Sequence, residues 1–386
     1  MSEVSTCRYL RVLLTLVPRK TSALSMRSTR TNTTALRLLL IVLLGSVQGT
    51  YAQTIKSAPV DLAFEKKIPD WLKETNVPAV GIGIIENGKL KYTKVFGELR
   101  RGGPAQPAPA NTIFQVASLT KPIVEVLTLQ FVTSGKWNLD EPLANYWVDP
   151  DVQNDPRHKK LTTRHVLTHQ SGFPNWRYLN ADNKLAFMAE PGTKVNYSGE
   201  GLEYLRRALE KKFNEPLERL AQKHLFQLYG MKDTRFLWDA EMDESRFAVA
   251  HNKEGKPYDI NRNRTANAAD LLLTTVADYG RFAVNVLEGK GLSRSVFNEM
   301  VRPQAPYPSG KKLFFGLGWM IMPELSNGEY ALIHTGSDPG VSTVVVLFPK
   351  SRRGLIVFTN GDNGTKIWTR ILAEAFDVGK EMLERG

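Results

Sequence analysis

Apolar residues recur along the chain in two rhythms. Over 61–75 they return every three or four positions, as on one face of an amphipathic helix. Two short apolar runs, 80–85 and 90–96, then flank Asn87-Gly88. Asn-Gly accepts the left-handed backbone of a two-residue turn, so this pattern predicts a β-hairpin. From about 111 to 290 the helical rhythm dominates, with helices expected at 124–133, 163–168, 201–212, 217–228 and 275–287. β-Branched and aromatic runs return at 316–322, 330–334, 342–348 and 355–359, divided by Ser326-Asn327-Gly328 and by 350–354, and a last helix is expected over 366–383. Strands at both ends with helices between them predict an α+β fold of the α/β sandwich type: one antiparallel sheet built from both chain ends, flanked by helices, with a mainly helical lobe inserted. The expected sheet lobe is 53–110 plus 291–386, the helical lobe 111–290, and the cleft between them the place for a site.

Composition narrows the class. A chain of 386 residues with 42% apolar and 23% charged residues can bury a large core, and no set of long uncharged stretches recurs as in a polytopic membrane protein. The net charge of +12 suggests nucleic acid until it is divided. Residues 1–52 hold seven basic residues and one acid, leaving +6 to the rest, where basic clusters at 157–160, 206–207 and 311–312 are separated by acids and lack interleaved aromatics. No nucleic-acid partner is expected. Arg27, Arg30 and Arg37, the apolar run 38–44 and the ending Thr50-Tyr51-Ala52 read as a secretory signal cut before Gln53, with Met26 an alternative start to Met1. The run falls short of the ~20 residues that span a bilayer, so no membrane span is expected after cleavage. The mature protein is expected in a periplasm or outside the cell. The single cysteine, Cys7, lies in this leader, so the mature chain has neither disulfide nor thiol chemistry.

Among familiar chemical motifs, Gly-x-Ser-x-Gly, the Walker glycine loop and Gly-x-Gly-x-x-Gly are all missing. Ser118-Leu119-Thr120-Lys121 precedes a helical stretch, which brings hydroxyl and amine to one face about a turn apart. A neutral amine can take the serine proton and make the oxygen a nucleophile. Ser309-Gly310-Lys311-Lys312 has the same spacing but sits in a Pro/Gly-rich loop with no helix after it. Asn196-Tyr197-Ser198-Gly199 lies just before a helix, where a turn can aim the Tyr197 phenol into a cleft. His334-Thr335-Gly336-Ser337 is read as the end of a strand entering a tight turn, offering a side-chain donor and the Ser337 N–H to a substrate oxygen. His165 and His169 have the spacing of a zinc pair but lack the intervening glutamate and a third ligand, so packing and capping are the better reading and no metal is expected. Trp176 and Tyr178, after Gly172-Phe-Pro-Asn, are candidates for a pocket wall.

Together these motifs resemble the serine β-lactamase and penicillin-binding protein superfamily, specifically its class C-like branch of esterases, D-peptidases and D-aminopeptidases. The resemblance extends to 135–143 (Gly-Lys-Trp-Asn-Leu-Asp-Glu-Pro-Leu), 163–172, 271–278, Phe315-Gly-Leu-Gly-Trp319 and the closing strands. It implies the β-lactamase/transpeptidase-like fold and no cofactor. It implies Ser118 as acylated nucleophile, Lys121 as its base, Tyr197 as second acid/base, and His334 where many relatives have lysine. The oxyanion hole would be the N–H groups of Ser118 and Ser337, and Thr335, Gly336, Gly199, Trp176 and Tyr178 would border a small-molecule or peptide substrate with an ester or amide bond. Two departures matter. Gly199 stands where many relatives carry the asparagine of Tyr-x-Asn, and a histidine with an ordinary pKa of ~6.5 supplies only a conditional charge. The expectation is therefore an esterase or a D-peptidase/D-aminopeptidase-like hydrolase, with a class C-type β-lactamase and a non-catalytic penicillin- or peptidoglycan-binding relative as alternatives.

Overall fold

The Asn87-Gly88 turn joins β1 (Ala79–Glu86) to β2 (Lys89–Gly97), both turn residues taking positive φ, 52° and 73°. This structure, a computed structural model, describes residues 58–308 and 310–386; the expected leader and its expected cleavage point, Cys7 and Ser309 lie outside the described residues. Further strands are β3 (Phe114–Gln115), β4 (Leu273–Thr274), β5 (Ala305–Pro306), β6 (Phe314–Phe315), β7 (Met320–Met322), β8 (Ala331–Asp338), β9 (Val341–Phe348) and β10 (Arg353–Thr359). Eight of them form one antiparallel sheet in the order β2-β1-β10-β9-β8-β7-β6-β5, and β3 pairs with β4 apart from it. The junction of the chain ends is β1 against β10, with Val80 opposite Thr359. The expected α+β architecture, a sheet from both ends flanked by helices, is what the chain adopts.

The helices used below are α1 (Ile68–Thr75), α2 (Thr120–Thr133), α3 (Thr163–Leu167), α4 (Gly199–Phe213), α5 (Val276–Glu288), α6 (Thr365–Ala375) and α7 (Gly379–Arg385). Because successive strand side chains point to opposite faces, the wholly apolar runs of β9 and β10 call for cover on both sides. Val344, Val346 and Phe348 pack with Ile68, Ile371 and Met382 from the terminal helices. Val345 and Leu347 belong instead to the core shared with Leu127 of α2 and Phe282 of α5. Each such side chain contributes roughly 1.5–3 kcal/mol by leaving water.

Four expectations change in detail. The strand expected over 316–322 is a hairpin: Gly316-Leu317-Gly318-Trp319 forms its turn, with Gly318 at φ 90° and the Leu317 and Trp319 side chains buried. The helix expected over 366–383 breaks between α6 and α7, because Phe376 turns extended to stack on Phe348 at 5.1 Å and Asp377 accepts from Arg353 at 3.0 Å. The helix expected over 217–228 widens to a π-helical segment at Gln222–Phe226. Finally, β8 continues through Asp338, so His334 to Ser337 sit within a strand, and the tight turn comes only at Gly340, φ 72°.

Candidate active site

Ser118 lies in a single 3-10 turn, Ala117–Leu119, directly ahead of α2. Distant segments pin this turn. Val116 N–H donates to Leu272 at 3.1 Å, Tyr279 Oη to the Leu119 carbonyl at 2.9 Å, and Thr343 Oγ1 to the Val116 carbonyl at 3.0 Å. Ala117 has φ 48°, a left-handed backbone that costs a non-glycine residue about 1 kcal/mol or more. That strain is held by the surrounding bonds and turns the half-buried Ser118 hydroxyl toward open space.

Lys121 is 1% exposed, and its Nζ donates to Ser118 Oγ at 3.0 Å and to the Ala269 carbonyl at 2.8 Å. It also stands 4.7 Å from the centre of the Tyr197 ring. Tyr197 is placed by the start of α4: Ser198 Oγ accepts from Gly201 N–H at 3.0 Å, and the Asn196 amide group donates to Phe173 at 2.7 Å. The buried His169 packs on Tyr197 with ring centres 4.4 Å apart, and its Nδ1 accepts from Ser198 N–H at 3.2 Å. Its Nε2 has no hydrogen-bond partner among the described residues. Burial, then the neighbouring Lys121, hold His169 well below the usual histidine range. His165 points elsewhere, closing a capping box with Thr162 on α3.

The His334 ring lies 6.5 Å from that of Tyr197, and its Nδ1 donates to the Thr335 carbonyl at 2.9 Å, leaving Nε2 as a lone-pair acceptor. Its expected conditional charge is corrected here: burial, reinforced by Lys121, pulls its pKa down to about 3, so the ring is neutral at ordinary pH.

Ser118, Lys121, Tyr197, Thr335 and Ser337 line one open cavity of about 1020 Å³, together with Trp176 and Tyr178. Gly199 is placed differently from expectation. It is buried, and a Cβ there would stand 2.7 Å from the Trp176 indole, which occupies the space above it. Gly336 likewise sits behind the wall, its Cα face turned to the Val116 carbonyl and the Ser118 amide. Arg177 fixes the Trp176–Tyr178 segment through Glu200 at 2.9 Å, Asp149 at 2.8 Å and Asp151 at 3.1 Å.

The arrangement is a serine hydroxyl held by a buried amine, with a phenol and two neutral imidazoles beside it, at the floor of a cleft. The Beta-lactamase family profile matches residues 64–379. The chain belongs to the beta-lactamase family. It is similar to D-alanyl-D-alanine-carboxypeptidase/endopeptidase AmpH of Escherichia coli strain K12, 22% identical over 71% of this chain and 77% of that protein. It is also similar to Esterase EstB of Burkholderia gladioli, 27% identical over 52% of this chain and 56% of that one. Among solved structures, the octameric penicillin-binding protein homologue of Pyrococcus abyssi shares the fold with a TM-score of 0.69, 21% identity, and coverage of 83% and 80%. This beta-lactamase-family chain is thus a member of a serine hydrolase superfamily.

Four groups at or beside the site escape sequence reasoning. His169 was readable only as a packing residue. Asp270 and Asp338 both line the cavity, the first one residue after the Ala269 carbonyl that receives Lys121 and the second at the end of β8. Glu125, one helical turn beyond Lys121, is fully buried and neither of its oxygens has a partner among the described residues. Burial, partly offset by Lys121, raises its pKa well above the usual carboxyl range.

Proposed function

We propose that this chain is an exported serine hydrolase that cleaves an ester or amide through an acyl-Ser118 intermediate, of esterase or D-peptidase type rather than a dedicated β-lactamase. The observation that carries this reading is the 3.0 Å contact of Lys121 Nζ with Ser118 Oγ at the floor of an open cavity. In the reaction, Lys121 in its amine form takes the Ser118 proton as Oγ bonds to the substrate carbonyl carbon. The N–H groups of Ser118 and Ser337 receive the developing oxyanion. Tyr197 passes its proton to the leaving group; in deacylation the resulting phenolate takes a proton from the attacking water, and Lys121 returns its proton to Ser118 Oγ as the acyl–Oγ bond breaks, so both groups regain their starting forms. His334, neutral with Nδ1 committed to Thr335, serves Tyr197 or the substrate as an acceptor and brings no positive charge to a substrate carboxylate. That feature, with Gly199 covered by Trp176, favours the esterase or D-peptidase reading, and the similarity to AmpH, a D-alanyl-D-alanine-carboxypeptidase/endopeptidase, and to Esterase EstB supports the same two activities.

The test is adduct mapping. A fluorophosphonate probe should modify Ser118, read by mass spectrometry, and Ser118→Ala should remain folded without adduct or turnover. A panel of p-nitrophenyl esters, a chromogenic cephalosporin and D-Ala peptides then ranks the activities, with efficient cephalosporin hydrolysis contradicting the preference stated here. A folded wild-type protein that never acquires the adduct on Ser118 ends the hydrolase reading. Export is checked by N-terminal sequencing of the mature protein, with Gln53 expected first.

A further inference from the structure

Two carboxyl groups unused by the reaction above stand beside the nucleophile. Asp270 follows Ala269, the acceptor of Lys121, and Leu271 behind it has the left-handed φ of 69° that turns this segment along the cavity wall. Alternate residues of a strand share a face, so Asp338 points as Gly336 does, toward 115–118, and Gln115 Nε2 donates to it at 3.4 Å. Asp270 and Asp338 lie close enough for each carboxyl to act on the other, and burial followed by the Asp270 charge holds Asp338 above the usual carboxyl range, so the pair retains a proton. Both face the same cavity as Ser118 and Lys121, so a ligand of that cavity reaches the pair and the nucleophile together.

Charge and shape elsewhere on the wall limit what that ligand can be. Arg177 is already engaged by Glu200, Asp149 and Asp151. Glu203 is tied to Arg206 at 2.7 Å and to the Ala268 N–H at 2.6 Å. Arg207 lies two turns along α4, about 12 Å of helix rise beyond Gly199. A substrate carboxylate bound on this part of the wall would therefore meet two carboxyls. Independently of the acids, Trp176 and Tyr178 stack at 6.1 Å and 13° on the same wall, with Tyr178 64% exposed. The Tyr178 phenol lies within the field of Asp338, Asp270 and Glu200. Aromatic faces beside carboxylates favour cations.

We propose that the substrate carries an ammonium group close to its scissile carbonyl, held between Asp270 and Asp338, with Trp176 and Tyr178 flanking it. The proposal rests on Ser118 being the nucleophile of this cavity. When the cation binds, the shared proton leaves to solvent and two carboxylates face one ammonium. Asp270 and Asp338 are specificity-determining residues here, and the bond-making steps stay with Ser118, Lys121 and Tyr197.

The experiment compares two fluorophosphonates whose alkoxy arms end in trimethylammonium or in tert-butyl. Ser118 Oγ bonds to phosphorus and fluoride leaves in both, so the ratio of labelling rates, corrected for reactivity in buffer, reports the cation alone. A ratio of at least about tenfold is expected for the wild type, falling toward one in Asp270→Asn/Asp338→Asn. Should that variant not fold, protection of the wild type is decisive: butylammonium should slow labelling of Ser118 by the tert-butyl reagent, and butyrate should not. A wild-type ratio near or below one, a ratio surviving the double substitution, or protection by butyrate as good as by butylammonium overturns the proposal while leaving Ser118 labelled. Absence of labelling by either reagent overturns the nucleophile reading itself, and this inference with it.

Discussion

The contact of β8 with the nucleophile turn is tight enough to test with one methyl group. A Cβ on Gly336 would stand 2.4 Å from the Val116 carbonyl oxygen, 2.3 Å from Thr343 Oγ1 and 3.2 Å from the Ser118 amide nitrogen. The Thr343 hydroxyl can rotate away only by giving up its 3.0 Å bond to Val116. The carbonyl is fixed more firmly, because Leu119 N–H also donates to it at 3.1 Å. Ordinary contact begins near 3.4 Å, so in Gly336→Ala the strand and the turn must part by about 1 Å. Overpacking of this kind costs about 1–3 kcal/mol. A displacement of ~1 Å between a nucleophile and the groups opposite it lowers turnover roughly 10²-fold. Adding Thr343→Ala relieves one of the two close contacts and leaves the carbonyl, so it should restore little of the loss. Gly103→Ala, where nothing lies within 4 Å of the new methyl, is the control expected to change neither quantity. Hydrolysis of a p-nitrophenyl ester gives kcat, and thermal unfolding gives the stability change. Gly336→Ala folded and turning over within about twofold of wild type would refute the view that β8 sets the geometry of the nucleophile.

Lys121→Ala should lower kcat/KM by ~10²–10⁴, and combining it with Ser118→Ala should add little further loss, since the two act as a unit; near-full activity in the single variant contradicts the base role. Glu125→Met should stabilise the fold by about 1–3 kcal/mol in urea titrations, because it removes a buried carboxyl without partners. With its folded pKa raised, Glu125 also costs stability as pH rises through that value, so the variant should lose less stability toward alkaline pH, and a destabilised variant sinks the idea. His334 works in the opposite direction. Its pKa of about 3 favours the fold above the unfolded value of ~6.5 and loses that contribution as pH falls toward 3, so His334→Gln should flatten the acid side of the stability curve. Asp338, facing Asp270, Lys121, Gln115 and Tyr178, has its pKa raised to about 7 by burial and then by Asp270. For an ammonium-bearing substrate kcat/KM should rise through about pH 7, while the uncharged analogue lacks that limb; identical profiles for the two exclude the pair as its source.

What the sequence disclosed was decided by neighbours in the chain. Asn87-Gly88 determines its own backbone, and the Ser118-x-x-Lys121 spacing puts both groups on one side because helix pitch is local. The β-branched and aromatic runs 342–348 and 355–359 likewise announced strands. The misread stretches were settled by distant groups. Leu317 and Trp319 have strand propensity, yet Gly316 packs on the Met300 carbonyl and Gly318 on Glu125, which makes 316–319 a turn. His165 and His169 look equivalent by spacing, but one caps α3 while the other, with a left-handed φ of 54°, lies under Tyr197. Asp270 and Asp338 form no sequence motif, since only the sheet register and the segment ahead of β4 bring them together. The charge of His334 was unreadable for a related reason: residue type sets its reference pKa, and burial beside Lys121 sets the actual one.

The two departures from the family pattern belong together physically. An asparagine side chain at 199 would occupy the volume of the Trp176 indole, so a glycine there and an aromatic wall accompany one another. A lysine at 334 would set a buried ammonium near Lys121, whereas histidine with Nδ1 on the Thr335 carbonyl stays neutral and adds no charge there. With no cation offered from 334 and Arg177 engaged by three carboxylates, the proposed ammonium site at Asp270 and Asp338 is the part of this wall that selects by charge. Turning this cleft into one that holds a carboxylate therefore demands more than a single exchange at 334. The acid pair must be neutralised as well, because an added ammonium would first be taken up by the carboxyls already present.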